Sequence, residues 1–257
     1  KNCDYSANMD VAVAKEQAPI TTESKELAEV HTPDVKTIED LEKRYPERAL
    51  KEGARVTRFA PSPTGYLHIG AFYTALVNLL TSNASGGVSY LRIEDTDKKR
   101  EVEGGIADII GGIKRFGITI DEGFIESDCE QGDYAPYKQS CRAEIYQCYA
   151  KSLIKQGLAY PCFCTEQDLA QTREKQEALK IRTGYHGEWA VHRNITLAEA
   201  EKSISEGKPF VVRLRSPGDE SNRIVFDDGI KGKIEMPEND EDFVILQSDG
   251  IPTYHFA

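Results

Sequence analysis

Thirteen residues, Arg58 to Gly70, constrain the fold of this chain more than any other segment. They read RFAPSPTGYLHIG and join an apolar run, which predicts a strand over 56–60, to a periodic run that predicts a helix over 71–81. Two prolines stiffen the loop between them, which ends in His-Ile-Gly. Such a strand–loop–helix junction suits a nucleotide, because phosphates can meet an imidazole and the positive end of a helix.

A second marked run, RIEDTD at residues 92–97, follows an apolar segment that predicts a strand over 88–93. Ile106, Ile109, Ile110, Ile113 and Phe116 then predict one apolar face of a helix, and a short strand is predicted over 118–120. This β-α-β-α-β order predicts an α/β fold with a Rossmann-like, doubly wound parallel sheet. Ligands of such sheets bind at the carboxyl ends of the strands, where both marked runs fall.

The pattern of predicted elements changes after a long helix that is predicted over 139–156. Capping signals at Thr165–Asp168 and Thr196–Glu199 predict two helix starts, and strands are predicted over 158–164, 210–215, 223–226, 231–235 and 243–247. We interpret this stretch as an inserted α+β block. The predicted domains are an N-terminal extension (1–50), the first half of the Rossmann-like domain (51–156), the inserted block (157–247) and the start of a return to the first domain (248–257).

Composition narrows the classes of function. The net charge of −11 argues against indiscriminate polyanion binding, so a nucleic-acid partner requires a local basic face. Six irregularly spaced cysteines indicate free thiols in a reducing cytosol, and no apolar stretch approaches the roughly 20 residues that cross a bilayer. We therefore expect a cytoplasmic protein without a membrane partner. Both ends of the sequence have the appearance of cuts, so a fragment is expected.

The marked runs carry residue types that suit an amino acid and a nucleotide. His68 can donate a hydrogen bond to a phosphate oxygen, and Gly70 lets a ribose or base approach the backbone closely. Arg58 can pair with a carboxylate through a bidentate fork, while Glu94 can bind an ammonium group. An amino acid presents both of these groups.

With these motifs, the chain resembles the bacterial-type glutamyl-tRNA synthetases, which are class I aminoacyl-tRNA synthetases. The likeness covers about residues 55–257, and the family's signature HIGH element falls on His68–Ala71, where Ala71 replaces a frequent glycine. The segments that carry the resemblance are Arg58–Gly70, Arg92–Asp97, Gly117-Ile118 with Asp121–Gly123, Pro136–Ser140 and Ser248–Ala257.

The resemblance implies a two-step ligase reaction, in which glutamate and ATP form glutamyl-adenylate with Mg²⁺ assisting, and the glutamyl group passes to the 3′ end of tRNA-Glu. His68 and Gly70 are implied as catalytic residues. The implied ATP-binding residues are Ala60, Ser62, His68, Gly70 and Ala71. The implied glutamate-binding residues are Arg58, Ala60, Ser62, Glu94 and Tyr254. The inserted block is implied to receive the tRNA acceptor end, with candidate contacts at Arg173, Lys175, Lys180, Arg182 and Arg193.

Zinc is not expected from the sequence. Cys162 and Cys164 match the first half of a zinc motif found in some relatives, but Trp189 stands where a further cysteine is needed, and His186 and His192 are the remaining possible donors. The two cysteines are otherwise interpreted as small apolar thiols in a strand.

Two rival readings stay open at this point. One is the related enzyme that glutamylates a modified base of tRNA-Asp, and the other is a truncated, non-catalytic module that binds nucleotides or RNA. The second ATP-binding signature loop of the family is expected beyond Ala257, so this piece alone is expected to be inactive. The full-length protein is expected to be a monomer.

Overall fold

The computed structural model describes residues 22–31, 35–97, 99–126 and 129–257, and the chain divides into two compact units. The first unit comprises residues 36–146. The second comprises residues 147–256 together with the described residues that precede position 36. Each unit has its own sheet and its own apolar cluster.

A four-stranded sheet forms the first unit, in the order β1-β2-β3-β4. The first three strands are parallel, with Arg58 opposite Tyr90 in the β1–β2 register, and β4 is antiparallel at the edge. The predicted Rossmann-like parallel sheet is therefore confirmed, with an antiparallel edge strand that was not predicted. The strands are β1 (Val56–Phe59), β2 (Val88–Leu91), β3 (Glu122–Glu126) and β4 (Cys129–Gln131).

The third strand lies later in the chain than predicted. Residues 118–120 form no strand, although Ile118 is buried in the core. The Asp121 carboxylate accepts hydrogen bonds from the backbone N–H and the hydroxyl of Ser89, at 2.7 and 2.9 Å. Because this side chain occupies the donor that a strand partner would use, ladder pairing with β2 begins only at Glu122.

Three helices complete the first unit and contribute to its core. The second of them ends at Gly86, whose φ of 66° is the left-handed conformation that glycine adopts most easily. They are α2 (Ile38–Arg44), α3 (Ile69–Ser85) and α4 (Gly105–Arg115). The core contains Phe59, Ala75, Leu79, Leu91, Ile93, Ile109, Ile110, Ile113, Ile118, Phe124 and Tyr137.

The sequence predicts that Phe116 lies on the buried face of α4, and this prediction is wrong. It follows the helix, is mostly exposed and rests on Phe72, with 4.4 Å between ring centroids. Gly117 has a φ of 68°, so the backbone turns away at this point and leaves the ring at the rim of the core.

The second unit contains a three-stranded antiparallel sheet, in the order β5-β6-β9, and a separate hairpin of β7 and β8. Both predicted capping boxes are present, at Thr165 with Asp168 and at Thr196 with Glu199. The helices are α5 (Ala143–Lys155, which begins in the first unit), α6 (Glu166–Ala178) and α7 (Leu197–Ser205). The strands are β5 (Ala159–Cys162), β6 (Val211–Leu214), β7 (Arg223–Asp228), β8 (Gly232–Pro237) and β9 (Val244–Leu246).

The end of the chain pairs within this second unit, where Pro252 forms an antiparallel bridge with Leu246 of β9. The predicted domain boundaries, including a return to the first domain over 248–257, stay predictions. Across the part of the chain that the structure describes, no helix combines the length and apolar character needed to cross a membrane.

An N-terminal helix, α1 (Thr22–His31), packs on the second unit. Its Leu27 and Ala28 are buried, so this part of the predicted N-terminal extension is packed against the rest of the second unit. The Glu23 carboxylate accepts a hydrogen bond from the N–H of Leu197, the first residue of α7, at 2.9 Å. The polar composition of this segment gave no periodic signal for the helix, although charged side chains such as Glu23 and Glu29 make some of its contacts.

Candidate active site

The junction of β1 and α3 shapes the predicted nucleotide site. His68 is the N-cap of α3, and its Nδ1 accepts a hydrogen bond from the N–H of Gly70 at 3.2 Å. The first turn of α3 carries no acidic side chain. The imidazole therefore lies over an exposed helix N-terminus, where backbone N–H groups favour anionic groups such as phosphates.

Glycine at position 70 lets the His68 ring lie where it does. A Cβ built on Gly70 would be 3.1 Å from both Cε1 and Nδ1 of His68. A larger residue would therefore push the ring away from the helix N-terminus.

Backbone hydrogen bonds tie the two marked runs together. The N–H of Arg92 donates to the carbonyl of Phe59 at 3.0 Å, and the N–H of Glu94 donates to the carbonyl of Pro61 at 2.9 Å. Pro61 is buried, which fixes this loop against the sheet. The carboxyl ends of β1 and β2 thus continue side by side beyond the ladder.

This pairing places three charged side chains together. Glu94 Oε1 lies 2.8 Å from Arg92 Nε and 3.8 Å from Arg58 Nη1. The backbone of Arg58 is held by α3, because the side-chain amide of Asn78 donates to its carbonyl at 2.8 Å. The predicted glutamate ligands Arg58 and Glu94 are therefore neighbours, and Arg92 is a third member that the sequence reasoning did not assign.

Whereas Glu94 lies beside two arginines, the next residue, Asp95, binds another segment of the first unit. It is buried, and its carboxylate accepts hydrogen bonds from the N–H and the hydroxyl of Ser140. Lys138 Nζ lies 3.5 Å from the same carboxylate. Asp95 therefore anchors the segment from Lys138 to Ser140, a contact that was not predicted from the sequence.

The segment before β1 is clamped to the sheet by an ion pair. The guanidinium of Arg48 forms a bidentate pair with the Glu122 carboxylate and stacks on the ring of Tyr134, 3.8 Å from its centroid. The hydrogen bond from Arg48 holds the pKa of Glu122 below its usual value. Burial, together with a hydrogen bond to Glu122, raises the pKa of Tyr137.

The structure assigns no binding role to the other predicted ligands, which are Ala60, Ser62, Ala71 and Tyr254. Ala60, Ser62 and Ala71 are partly buried along the loop and the start of α3. Tyr254 belongs to the second unit, and its side chain is 86% exposed. The predicted roles of these four residues stay predictions.

In the second unit, four side chains converge next to β5, and we call them the thiol cluster: Cys162, Cys164, Tyr185 and His192. His192 Nδ1 lies 3.6 and 3.3 Å from the two sulfurs, and the Tyr185 hydroxyl lies 3.3 and 3.5 Å from them. The hydrogen bond with Cys164, then those with His192 and Tyr185, lowers the pKa of the Cys162 thiol. The same hydrogen bond from Cys162 raises the pKa of Cys164.

The thiol cluster differs in one residue from the donors that the sequence suggested. His186 is directed elsewhere, with its Nε2 3.2 Å from the carbonyl of Arg182. The donor groups of Cys162, Cys164 and His192 lie within 4.8 Å of one another. Of the two histidines considered as donors, His192 lies beside the sulfurs and His186 does not, and Tyr185 is a further neighbour that was not expected.

The five predicted tRNA contacts fall into two groups. Arg173, Lys175 and Lys180 are exposed, on α6 or just beyond it. Arg182 pairs with Asp240 and Glu220, and Arg193 binds the buried Asp242 and the carbonyl of Ser216. The first group is available to a phosphate backbone, whereas the second already takes part in the fold of this unit.

Comparisons with known proteins converge on one family. The catalytic-domain model of the class I tRNA synthetases (E and Q) matches residues 55–257. A glutamate–tRNA ligase of Clostridium beijerinckii is 54% identical over 221 residues, which are 86% of this chain and 40% of that protein. A glutamate–tRNA ligase of Clostridium perfringens is 50% identical over 90% of this chain and 42% of that protein.

A solved structure is also similar. It is a glutamate tRNA ligase from Elizabethkingia meningosepticum in complex with its amino acid, with a TM-score of 0.67 and 36% identity over 80% of this chain and 40% of that one. The chain therefore spans about two fifths of the length of the relatives that it matches.

Proposed function

The chain belongs to the class I tRNA synthetases (E and Q), and from this premise we propose that the protein containing it is a glutamate–tRNA ligase. The observation that carries the proposal is the convergence of Arg58 and Glu94, with Arg92 behind them, at the carboxyl ends of β1 and β2. The exposed guanidinium of Arg58 suits a carboxylate of glutamate and the Glu94 carboxylate suits its ammonium group, while Arg92 adds a second positive charge behind them.

The proposed reaction has two steps. The α-carboxylate of glutamate attacks the α-phosphorus of ATP, which forms glutamyl-adenylate and releases pyrophosphate. The ribose hydroxyl at the 3′ end of tRNA-Glu then attacks the acyl carbon, and AMP leaves. Positioning and stabilisation of the phosphate charges supply much of the rate, and Mg²⁺ would contribute charge at the phosphates when bound.

Each residue has a proposed part in these steps. Arg58 binds a carboxylate of glutamate and Glu94 its ammonium group, with Ala60 and Ser62 beside them along the loop after β1. Tyr254 is proposed as a further glutamate-binding residue. His68 donates to a phosphate oxygen from its position over the N-terminus of α3. Gly70 and Ala71 leave the backbone of that helix open to ATP. In the second unit, Arg173, Lys175 and Lys180 contact the phosphates of the tRNA acceptor end, and Arg182 and Arg193 shape the surface around them.

A substitution of Arg58 tests the proposal. In the complete protein, Arg58→Ala is expected to reduce kcat/KM for glutamate in ATP–pyrophosphate exchange by roughly 100-fold or more, because the substrate carboxylate loses its charged partner. Arg55→Ala removes an exposed arginine just before the same strand and serves as the matched control.

Unchanged glutamate kinetics in Arg58→Ala would contradict the proposal. Charging assays with purified tRNA-Glu and tRNA-Asp address the second step, since glutamylation of tRNA-Asp alone would replace the proposed activity by that of the base-modifying relative. We also propose a cytoplasmic location, which the free thiols of Cys129, Cys141, Cys162 and Cys164 support.

We propose, second, and contrary to the expectation from the sequence, that the thiol cluster binds a structural zinc ion. Tetrahedral coordination with Zn–S near 2.3 Å and Zn–N near 2.0 Å separates the donor atoms by about 3.3–3.8 Å. The sulfur–imidazole distances of 3.6 and 3.3 Å fit this value, and the Tyr185 hydroxyl supplies a fourth donor. The ion would cross-link β5 to the loop at 185–192 and take no part in the reaction.

Metal analysis tests the zinc proposal. The purified protein is expected to contain about one zinc per chain, and the content is expected to fall below about 0.1 in Cys162→Ser/Cys164→Ser. Cys129→Ser/Cys141→Ser, which removes two exposed thiols, is the control and keeps its zinc. Absence of zinc from protein that was purified without chelators would refute this assignment.

A further inference from the structure

Arg92 is buried behind Glu94 and does not resemble a substrate ligand. Its side chain is 9% exposed, compared with 39% for Arg58 and 18% for Glu94. Of the two guanidinium groups, the buried one is the closer to Glu94, at 2.8 Å against 3.8 Å. Glu94 is therefore held by Arg92, and this leaves the more exposed Arg58 available to another carboxylate.

The charges of this cluster do not cancel. Arg58 and Arg92 contribute two positive charges and Glu94 one negative charge, while the neighbouring Asp95 is balanced by Lys138. Arg92 Nη2 is buried and has no hydrogen-bond partner among the residues that the structure describes. The guanidinium of Arg92 is thus only partly neutralised, and a buried charge of this kind projects a stronger field than an exposed one.

From this arrangement we propose that Arg92 is a positioning and specificity-determining residue, which fixes Glu94 and makes the amino-acid pocket select the acid over its amide. The inference rests on the proposed function. Glutamate carries a net charge of −1 and glutamine carries none, so the surplus positive charge of the cluster favours glutamate. Arg58 acts by contact with the substrate, whereas Arg92 acts through Glu94 and through its field.

Two substitutions at the same position separate charge from packing. Arg92→Gln removes the charge, and Arg92→Lys keeps it while losing the planar fork. Both are compared in the complete protein, with glutamate and glutamine as substrates of tRNA-dependent ATP–pyrophosphate exchange. The preference is the ratio of kcat/KM for the two amino acids, measured on one preparation, so that any loss of folded protein cancels. Arg55→Gln, with the same loss of charge at an exposed position, is the control.

In Arg92→Gln, the preference for glutamate is expected to fall about 10- to 50-fold, mainly through KM for glutamate, as expected for one charge acting over several ångströms at intermediate dielectric. Arg92→Lys is expected to stay within about threefold of the unaltered protein, because it keeps the charge. An equal loss for both amino acids in Arg92→Gln, or equal preferences in the two variants, would show a merely structural role and overturn the inference. If the unaltered protein shows no glutamate-dependent exchange, the proposed function fails and the inference fails with it.

Discussion

The charged cluster at the ends of β1 and β2 and the thiol cluster of the second unit are assembled in opposite ways. Arg58, Arg92 and Glu94 come from two runs on adjacent parallel strands, where the ladder itself dictates which side chains become neighbours. The thiol cluster joins β5 to a loop that arrives after an intervening helix. Register determines the first set, whereas the path of a long connection determines the second.

This difference explains why the sequence predicts the charged cluster better than it predicts the thiol cluster. The doubly wound order and the proximity of Arg58 to Glu94 follow from short strands separated by helices, because parallel neighbours end at the same edge. No such rule gives the partners of Cys162 and Cys164. The sequence offered His186 and His192 alike, and only the structure shows that His192, with Tyr185, contacts the two sulfurs.

Removal of zinc should give the largest loss of stability, because the proposed ion cross-links β5 to the loop at 185–192. This loss would sharpen the contrast between the thiol cluster and the charged cluster, whose side chains the strand register brings together. Treatment with a strong chelator is expected to destabilise the second unit by about 3 kcal/mol, as judged by urea unfolding followed by circular dichroism. The same treatment of Cys162→Ser/Cys164→Ser should change nothing further. A chelator effect of equal size in that variant would mean that the stabilising metal binds elsewhere.

The Arg48–Glu122 pair should give the next largest effect, in the first unit. Arg48→Gln leaves the Glu122 carboxylate partly buried without its cation, so stability is expected to fall by about 2 kcal/mol at pH 7. Because the folded pKa of Glu122 is lowered, this contribution is present above its ordinary pKa of 4.5 and is lost as the pH falls through the lowered value. Arg44→Gln, at the exposed end of α2, is the control.

Unfolding curves of Arg48→Gln and the unaltered protein at several pH values would check the direction of this pH dependence. The gap in stability should narrow below pH 4.5 and stay constant between pH 6 and 8. A gap that is independent of pH down to 3 would assign the effect to the stacking of Arg48 on Tyr134, and not to the ion pair.

The smallest effect is expected from Gly70→Ala. This substitution tests whether the position of the His68 ring matters for ATP binding at the N-terminus of α3. The added methyl group presses on the imidazole at 3.1 Å, so KM for ATP is expected to rise about three- to tenfold, with little loss of stability. Gly111→Ala in α4, where a Cβ meets nothing within 4 Å, is the matched control. Equal ATP kinetics in the two variants would show that the ring position is irrelevant.

Two departures from the sequence-based expectations have a common cause. The third strand begins at Glu122 because the Asp121 side chain engages Ser89, and Arg92 is recognised as part of the charged cluster only from its contact with Glu94. Periodicity reports which residues are apolar, but it does not report where a polar side chain finds its partner. The apolar core of the first unit, by contrast, follows closely from the isoleucines of α4.

The docking of α1 has a practical consequence for work with this protein. Glu23 caps α7, Ser24 donates to the carbonyl of Lys155 at 3.1 Å, and Glu29 lies between Lys151 and Lys155. An expression plasmid trimmed to the family match at residue 55 would omit these contacts together with the buried Leu27 and Ala28. Affinity tags and cleavage sites are therefore better placed before Thr22 than between Thr22 and Arg55.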